Sequence, residues 1–142
     1  MLWSPRCLRQ GVDHETDGCS HCLLGDIGFM YAIRQILRLK EGALGFWGLP
    51  CNSFGFMARS LHQRSNSSPF GCGHHAFVQC GNILITRMVA LMMLMVSRQV
   101  RWMLEQPDRS AAAICPYLQH LLSFPHVEPH RVFWWGAHLF CC

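Results

Sequence analysis

The feature that most constrains this chain is the run Ile83 to Gln106, its longest apolar stretch without Gly or Pro. The first fourteen residues, ILITRMVALMMLMV, carry one charge, Arg87; Ser97, Arg98, Gln99, Arg101 and Glu105 then restore polarity. On a 3.6-residue period Arg87, Leu94, Arg98, Arg101 and Glu105 fall near one line, so the second half is amphipathic. Asn82 offers an N-cap and Pro107 a stop. The pattern predicts one helix near 83–106, buried along its Met-rich side, with Arg87, Arg98, Arg101 and Glu105 outward.

The length of the apolar part argues against a membrane span. Fourteen residues at about 1.5 Å each cover roughly 21 Å, short of the ~30 Å hydrocarbon layer. Lengthening the run takes in Arg98 and Arg101, each costing about 2.5–3.5 kcal/mol near mid-span against about 0.3–0.6 gained per Leu, Ile, Val or Phe. A core or interfacial helix is expected instead. Met88, Met92, Met93 and Met95 are flexible fillers that pack adaptably and specify a core poorly.

A second helix is expected from Asp26, its cap, to Glu41, with Gly42 closing it. Ile27, Met30, Ile33, Ile36 and Leu37 form its apolar stripe and Arg34, Gln35, Arg38 and Glu41 lie off it, the pattern of a surface helix packed on a core. Arg34, Arg38 and Lys40 also suit a basic amphipathic helix lying on anionic lipid. Gly42, Gly45, Gly48, Pro50 and Gly55 make the next stretch a loop, and Phe46, Trp47, Phe54 and Phe56 within it are expected to cap the core. Met57 to Arg64 reads as a short helical turn and Ser65 to Gly73 as a linker. Asp108 or Ser110 caps a third helix, AAAICPYLQHLL, which Pro116 kinks or restarts and which ends by Pro125. The pattern of Arg131 to Cys142, RVFWWGAHLFCC, fits neither helix nor strand.

These readings predict a mainly α fold: a small irregular helical domain with long loops, weakly specified. Residues 1–25 form an irregular N-terminal segment, 26–125 a helical region and 126–142 an apolar C-terminal tail. At 142 residues one domain with a real core is expected.

Charged residues make up 14% of the chain, against about 25% in ordinary globular domains, and Lys40 is the one lysine among twelve basic residues. A surface so poor in Lys and Glu points to association with a membrane or partner, or to a reading frame never tuned for a soluble fold. The net charge of +4 is spread as single arginines with no basic run, so no nucleic-acid partner is expected. The N-terminus lacks the apolar region of a secretory signal, which makes an intracellular, reducing setting the default and most of the nine Cys buried thiols. In that setting the sequon at Asn66 reads as a loop signal, strengthened by Pro69.

Two Cys/His clusters are the sharpest candidate for chemistry. His14, Cys19, His21 and Cys22 could join Cys72, His74, His75 and Cys80 in tetrahedral zinc, and Cys19-x-x-Cys22 is a familiar ligand hairpin. The second cluster has seven residues between Cys72 and Cys80, outside the usual pairings, so no metal is assigned. Other signatures fail on inspection. His14-Glu15 lacks the second His of H-E-x-x-H, because Gly18 stands there, and the glycine spacing after Gly42 is not a nucleotide fingerprint. Cys80 with His74 or His75 makes a nucleophile–base pair on paper only, and Cys141-Cys142 is not a prenylation box, since Leu139 occupies the required Cys position. The sequence therefore predicts no enzyme and no cofactor. It suggests a non-catalytic small protein or a product without selected function, with a peripheral membrane protein or a structural zinc module as alternatives.

Overall fold

The computed structural model describes residues 22–49, 51–55, 59–107, 109–125, 127, 130–134 and 137–141. Five α-helices are present among them: α1 (Asp26–Leu37), α2 (Cys51–Phe54), α3 (Arg59–His62), α4 (Ala76–Ser97) and α5 (Pro116–Leu122). The fold is mainly helical, as the periodicity predicted. It also contains a four-stranded sheet that the pattern did not reveal, made of β1 (Leu44–Gly48), β2 (Arg101–Pro107), β3 (His130–Trp134) and β4 (Ala137–Cys141) in the order β1-β2-β4-β3. β1 runs parallel to β2, with Leu44 opposite Arg101; β4 is antiparallel to both β2 and β3.

The central helix differs from its sequence expectation at both ends. It begins seven residues early, at Ala76, so Asn82 is an interior residue rather than a cap. It stops at Ser97, and Arg101–Gln106 is strand instead of helix. The stop is a Schellman closure: Gln99 N–H donates to Val96 O at 3.0 Å and Val100 N–H to Met95 O at 2.9 Å, with Gln99 in the left-handed region at φ 55°. Val100 and Met95 are both buried, which supplies the apolar contact that accompanies this motif. Past the turn, the alternation of RWMLEQP takes over: Trp102, Leu104 and Gln106 point into the core, while Arg101, Met103 and Glu105 do not.

The Met-rich side of α4 is buried as predicted, since Met88, Met92 and Met95 lie in the core with Leu84, Ile85 and Leu91. Arg98 and Arg101 are exposed and Arg87 and Glu105 half-buried, so none of the four is in the core. The earlier start alters the length argument. Its 22 residues span roughly 33 Å, enough by length and apolarity to cross a membrane. One such helix equally describes a core helix, and Arg87 at its middle is held by protein groups, donating to Leu23 O and Leu24 O at 2.9 Å and pairing with Asp26.

α1 packs on α4 through a stripe that shares Ile33 and Ile36 with the predicted one but is turned away from Ile27, Met30 and Leu37. Gly28, Ala32 and Ile36 are buried, whereas Ile27 (70% exposed), Met30 (61%) and Leu37 (49%) face solvent. Small side chains decide this. A Cβ on Gly28 would sit 2.0 Å from Cys22 O, so only glycine lets the preceding chain lie this close to the helix. The third predicted helix divides as expected: Ser110 Oγ accepts from Ala112 N at 3.2 Å to cap a 3-10 turn, Ala111–Ile114, and Pro116 starts α5 in its first turn. Backbone pairing of β2 with β4 attaches residues 137–141 to the helical region.

Candidate functional site

The most elaborate polar arrangement in the described structure is built on Arg64, which the sequence did not single out. Arg64 follows α3 and is buried beneath α2 and α4, with no carboxylate partner among the described residues. Its five N–H donors all find neutral oxygens. Nε donates to Ser53 O at 3.1 Å; Nη1 to Pro69 O at 3.0 Å and Asn82 Oδ1 at 2.9 Å; Nη2 to Ser53 Oγ at 3.2 Å and Val78 O at 3.4 Å. The guanidinium also stacks 4.3 Å from the Phe54 ring centroid. Burial lowers its pKa from the ordinary arginine value, and the nearby Cys115 opposes that shift.

The surrounding elements exist to make this shell possible. α2 brings Ser53 within reach of α4, where Ser53 Oγ donates to Phe77 O at 3.2 Å. Gly81 on α4 permits the approach, because a Cβ there would lie 2.0 Å from Ser53 Oγ and 2.9 Å from its Cβ. Asn82 completes it from the same helix, accepting from Arg64 and donating Nδ2 to Phe70 O at 3.0 Å. The stretch Ser65 to Gly73, expected to be a linker, is thereby pinned to Arg64 through Pro69 and to α4 through Phe70. Chemically, the shell is full. A guanidinium recognises an anion through free, forked N–H groups, and here each already has an acceptor. Arg64 is a clamp between elements.

Of the zinc candidates, His14, Cys19 and His21 lie outside the described residues. Cys22 is buried in the core under α1, Cys72 and Cys80 are half-buried, and His74 and His75 are exposed at the start of α4. Among the described residues no three His, Cys, Asp or Glu side chains come together as a ligand group. Cys80 sits near Cys22, and burial first, then the neighbouring thiol, push its pKa up from 9.0. A raised pKa leaves less thiolate at neutral pH, the reverse of what a nucleophile or a metal ligand needs. His62 is buried and contacts Ser53 O through Nδ1 at 3.3 Å, with its ring centroid 6.3 Å from that of His75.

An open hollow of about 500 Å³ lies between α4 and α5, lined by Phe70, Asn82, Ile83, Thr86, Arg87 and Tyr117. Its strongest polar groups are committed elsewhere, Asn82 to the Arg64 clamp and Arg87 to Leu23, Leu24 and Asp26. Ligand sites depend on a few convergent polar groups that fix orientation, and these two are already spoken for. No protein-family model, curated protein or solved structure matches the chain.

Proposed function

We propose that this chain is a small non-catalytic protein whose working surface is the outer line of α1, applied to an anionic membrane surface. A non-catalytic reading is supported by the full hydrogen-bond shell of Arg64 and by the Cys80 thiol, whose pKa burial raises, away from a reactive thiolate. The membrane reading is carried by one observation. Ile27, Met30 and Leu37 are exposed on the same face of α1 as Arg34 and Arg38, so apolar and cationic side chains share one solvent-facing stripe. A soluble surface helix hides its apolar positions, whereas here three of them reach solvent beside Arg34 and Arg38, where a headgroup layer offers phosphate and apolar contact together. Cosedimentation of the purified chain with phosphatidylserine-containing vesicles tests this reading. Binding that fails when Ile27 and Met30 become Ser supports it, and an absence of binding by the parent chain overturns it.

A product without selected function is the competing reading, motivated by the low charge. A specified fold is supported by the completed Arg64 shell and by the fit at Gly81, because unspecific collapse leaves buried polar groups unpaired. Against it stand the buried indole N–H groups of Trp47 and Trp102, which have no hydrogen-bond partner among the described residues. Sharp, dispersed amide resonances are the outcome expected of a specified fold; a collapsed spectrum sinks it.

A further inference from the structure

In the sequence the cations look scattered, but the fold brings five of them to one end of the molecule. The turn after α1 and the turn after α4 are bonded to each other: Gly42 N–H donates to Gln99 O at 2.9 Å and Arg101 N–H to Ala43 O at 2.8 Å. Arg98 reaches across through Nη2 to Leu39 O at 3.3 Å, and the β1–β2 register sets Leu44 beside Arg101. Arg34 and Arg38 at the end of α1, Lys40 in its turn, and Arg98 and Arg101 after α4 are all exposed. Glu41 is the carboxylate that shares these turns, giving a local charge of +4, equal to the formal charge of the whole chain. At the opposite end of α1, Asp26 is taken up by Arg87. Both helices also direct the negative ends of their dipoles here, so the cations are favoured where they stand.

We propose that these two turns form one electropositive contact surface for the headgroup layer of an anionic bilayer, and that they orient the protein with this end on the membrane. The proposal rests on the membrane reading of α1 and adds a part of the chain, Arg98 and Arg101, that lies outside that helix. What selects a bilayer over a nucleic acid is the company the cations keep. Leu37 and Leu44 (59% exposed) project among them with Phe46 (46%), and a headgroup layer backed by acyl chains accepts charge and exposed apolar surface together. A nucleic-acid surface would instead call for a row of stacking aromatics along a groove, and Phe46 alone does not make one.

The test is cosedimentation of the full chain with vesicles of pure phosphatidylcholine and with vesicles containing roughly one-third phosphatidylserine. The parent should bind the second and not the first, and release at about 0.5 M salt as charges are screened. Arg98→Gln with Arg101→Gln should weaken binding about thirty-fold, and Lys40→Gln about five-fold, with far-UV spectra unchanged. Lys40→Gln is independent of the Arg98–Leu39 bond and so guards against a loosened turn. Parent-like binding by all three substitutions, with loss on Ile27→Ser/Met30→Ser, overturns this proposal and leaves the α1 reading standing. No binding by the parent overturns both. Tighter binding to a labelled oligonucleotide than to vesicles at equal phosphate assigns the surface to nucleic acid and overturns the proposal.

Discussion

The two halves of α4 are held in different ways. Its first half, Ala76 to Asn82, is fixed by directional bonds, with Val78 O and Asn82 Oδ1 accepting from Arg64 and Gly81 leaving room for Ser53. Its second half, Leu84 to Met95, is fixed mainly by burial, with Ile85, Met88, Leu91, Met92 and Met95 packed into the core and Arg87 adding a directional tie to Leu23, Leu24 and Asp26 from the half-buried side. Hydrogen bonds to a buried cation tolerate little change of geometry, whereas flexible thioethers fill whatever space they meet. The first half should therefore set where α4 sits, and the second how strongly it is held.

The largest effect is expected where chemistry changes least. Arg64→Lys keeps the charge but loses the fork, stranding buried acceptors, and urea denaturation should show a loss of about 3 kcal/mol. Gly81→Ala should cost about 2 kcal/mol, because displacement of Ser53 outweighs the ~1 kcal/mol that alanine gains in a helix. Met92→Leu, in the apolar half and fully buried, should cost under about 1.5 kcal/mol by the same measurement. If Met92→Leu proves as damaging as Arg64→Lys, the contrast between the two halves is lost.

Two smaller tests sharpen it. Gln99→Gly relieves a side chain at φ 55° and should raise stability by about 0.5–1 kcal/mol, seen as a higher urea midpoint. Cys80 gives a pH signature for the first half. Its folded-state pKa is raised above 9.0, so its stabilising contribution is complete below that value and declines as pH climbs through the raised one. Melting temperatures followed from pH 8 upward should fall less in Cys80→Ala, relative to its own neutral-pH value, than in the parent.

The longer helices α1 and α4 were legible in the sequence because apolar periodicity reports them directly, and Ser110 and Pro116 announced the division before α5 by their capping chemistry. α2 and β1 were not, because they fall in the glycine-rich stretch after Gly42 that reads as a loop. β2 was not legible. Trp102, Leu104 and Gln106 alternate correctly, but Gln99 rather than Gly occupies the left-handed position, so no punctuation separates strand from helix. The buried face of α1 was missed because Gly28 and Ala32 carry little hydrophobicity, and what they provide is closeness. Arg64 gave no signal at all: its acceptors come from residues 53, 69, 78 and 82, and three of them belong to backbone carbonyls that any residue type could present. The cationic end was hidden likewise, since the turns that hold Lys40 and Arg98 come together only once β1 lies beside β2.

The position of β2 has a consequence for the order of events during synthesis. One of its edges is met by β1, which has already emerged, while the other waits for β4, made some thirty residues later. Until then Met103 to Pro107 presents an open edge to every neighbouring nascent chain. Glu105 and Pro107 lie on that edge, one a charge and the other lacking an N–H to offer, and such residues discourage a stray strand from joining before the chain's own arrives.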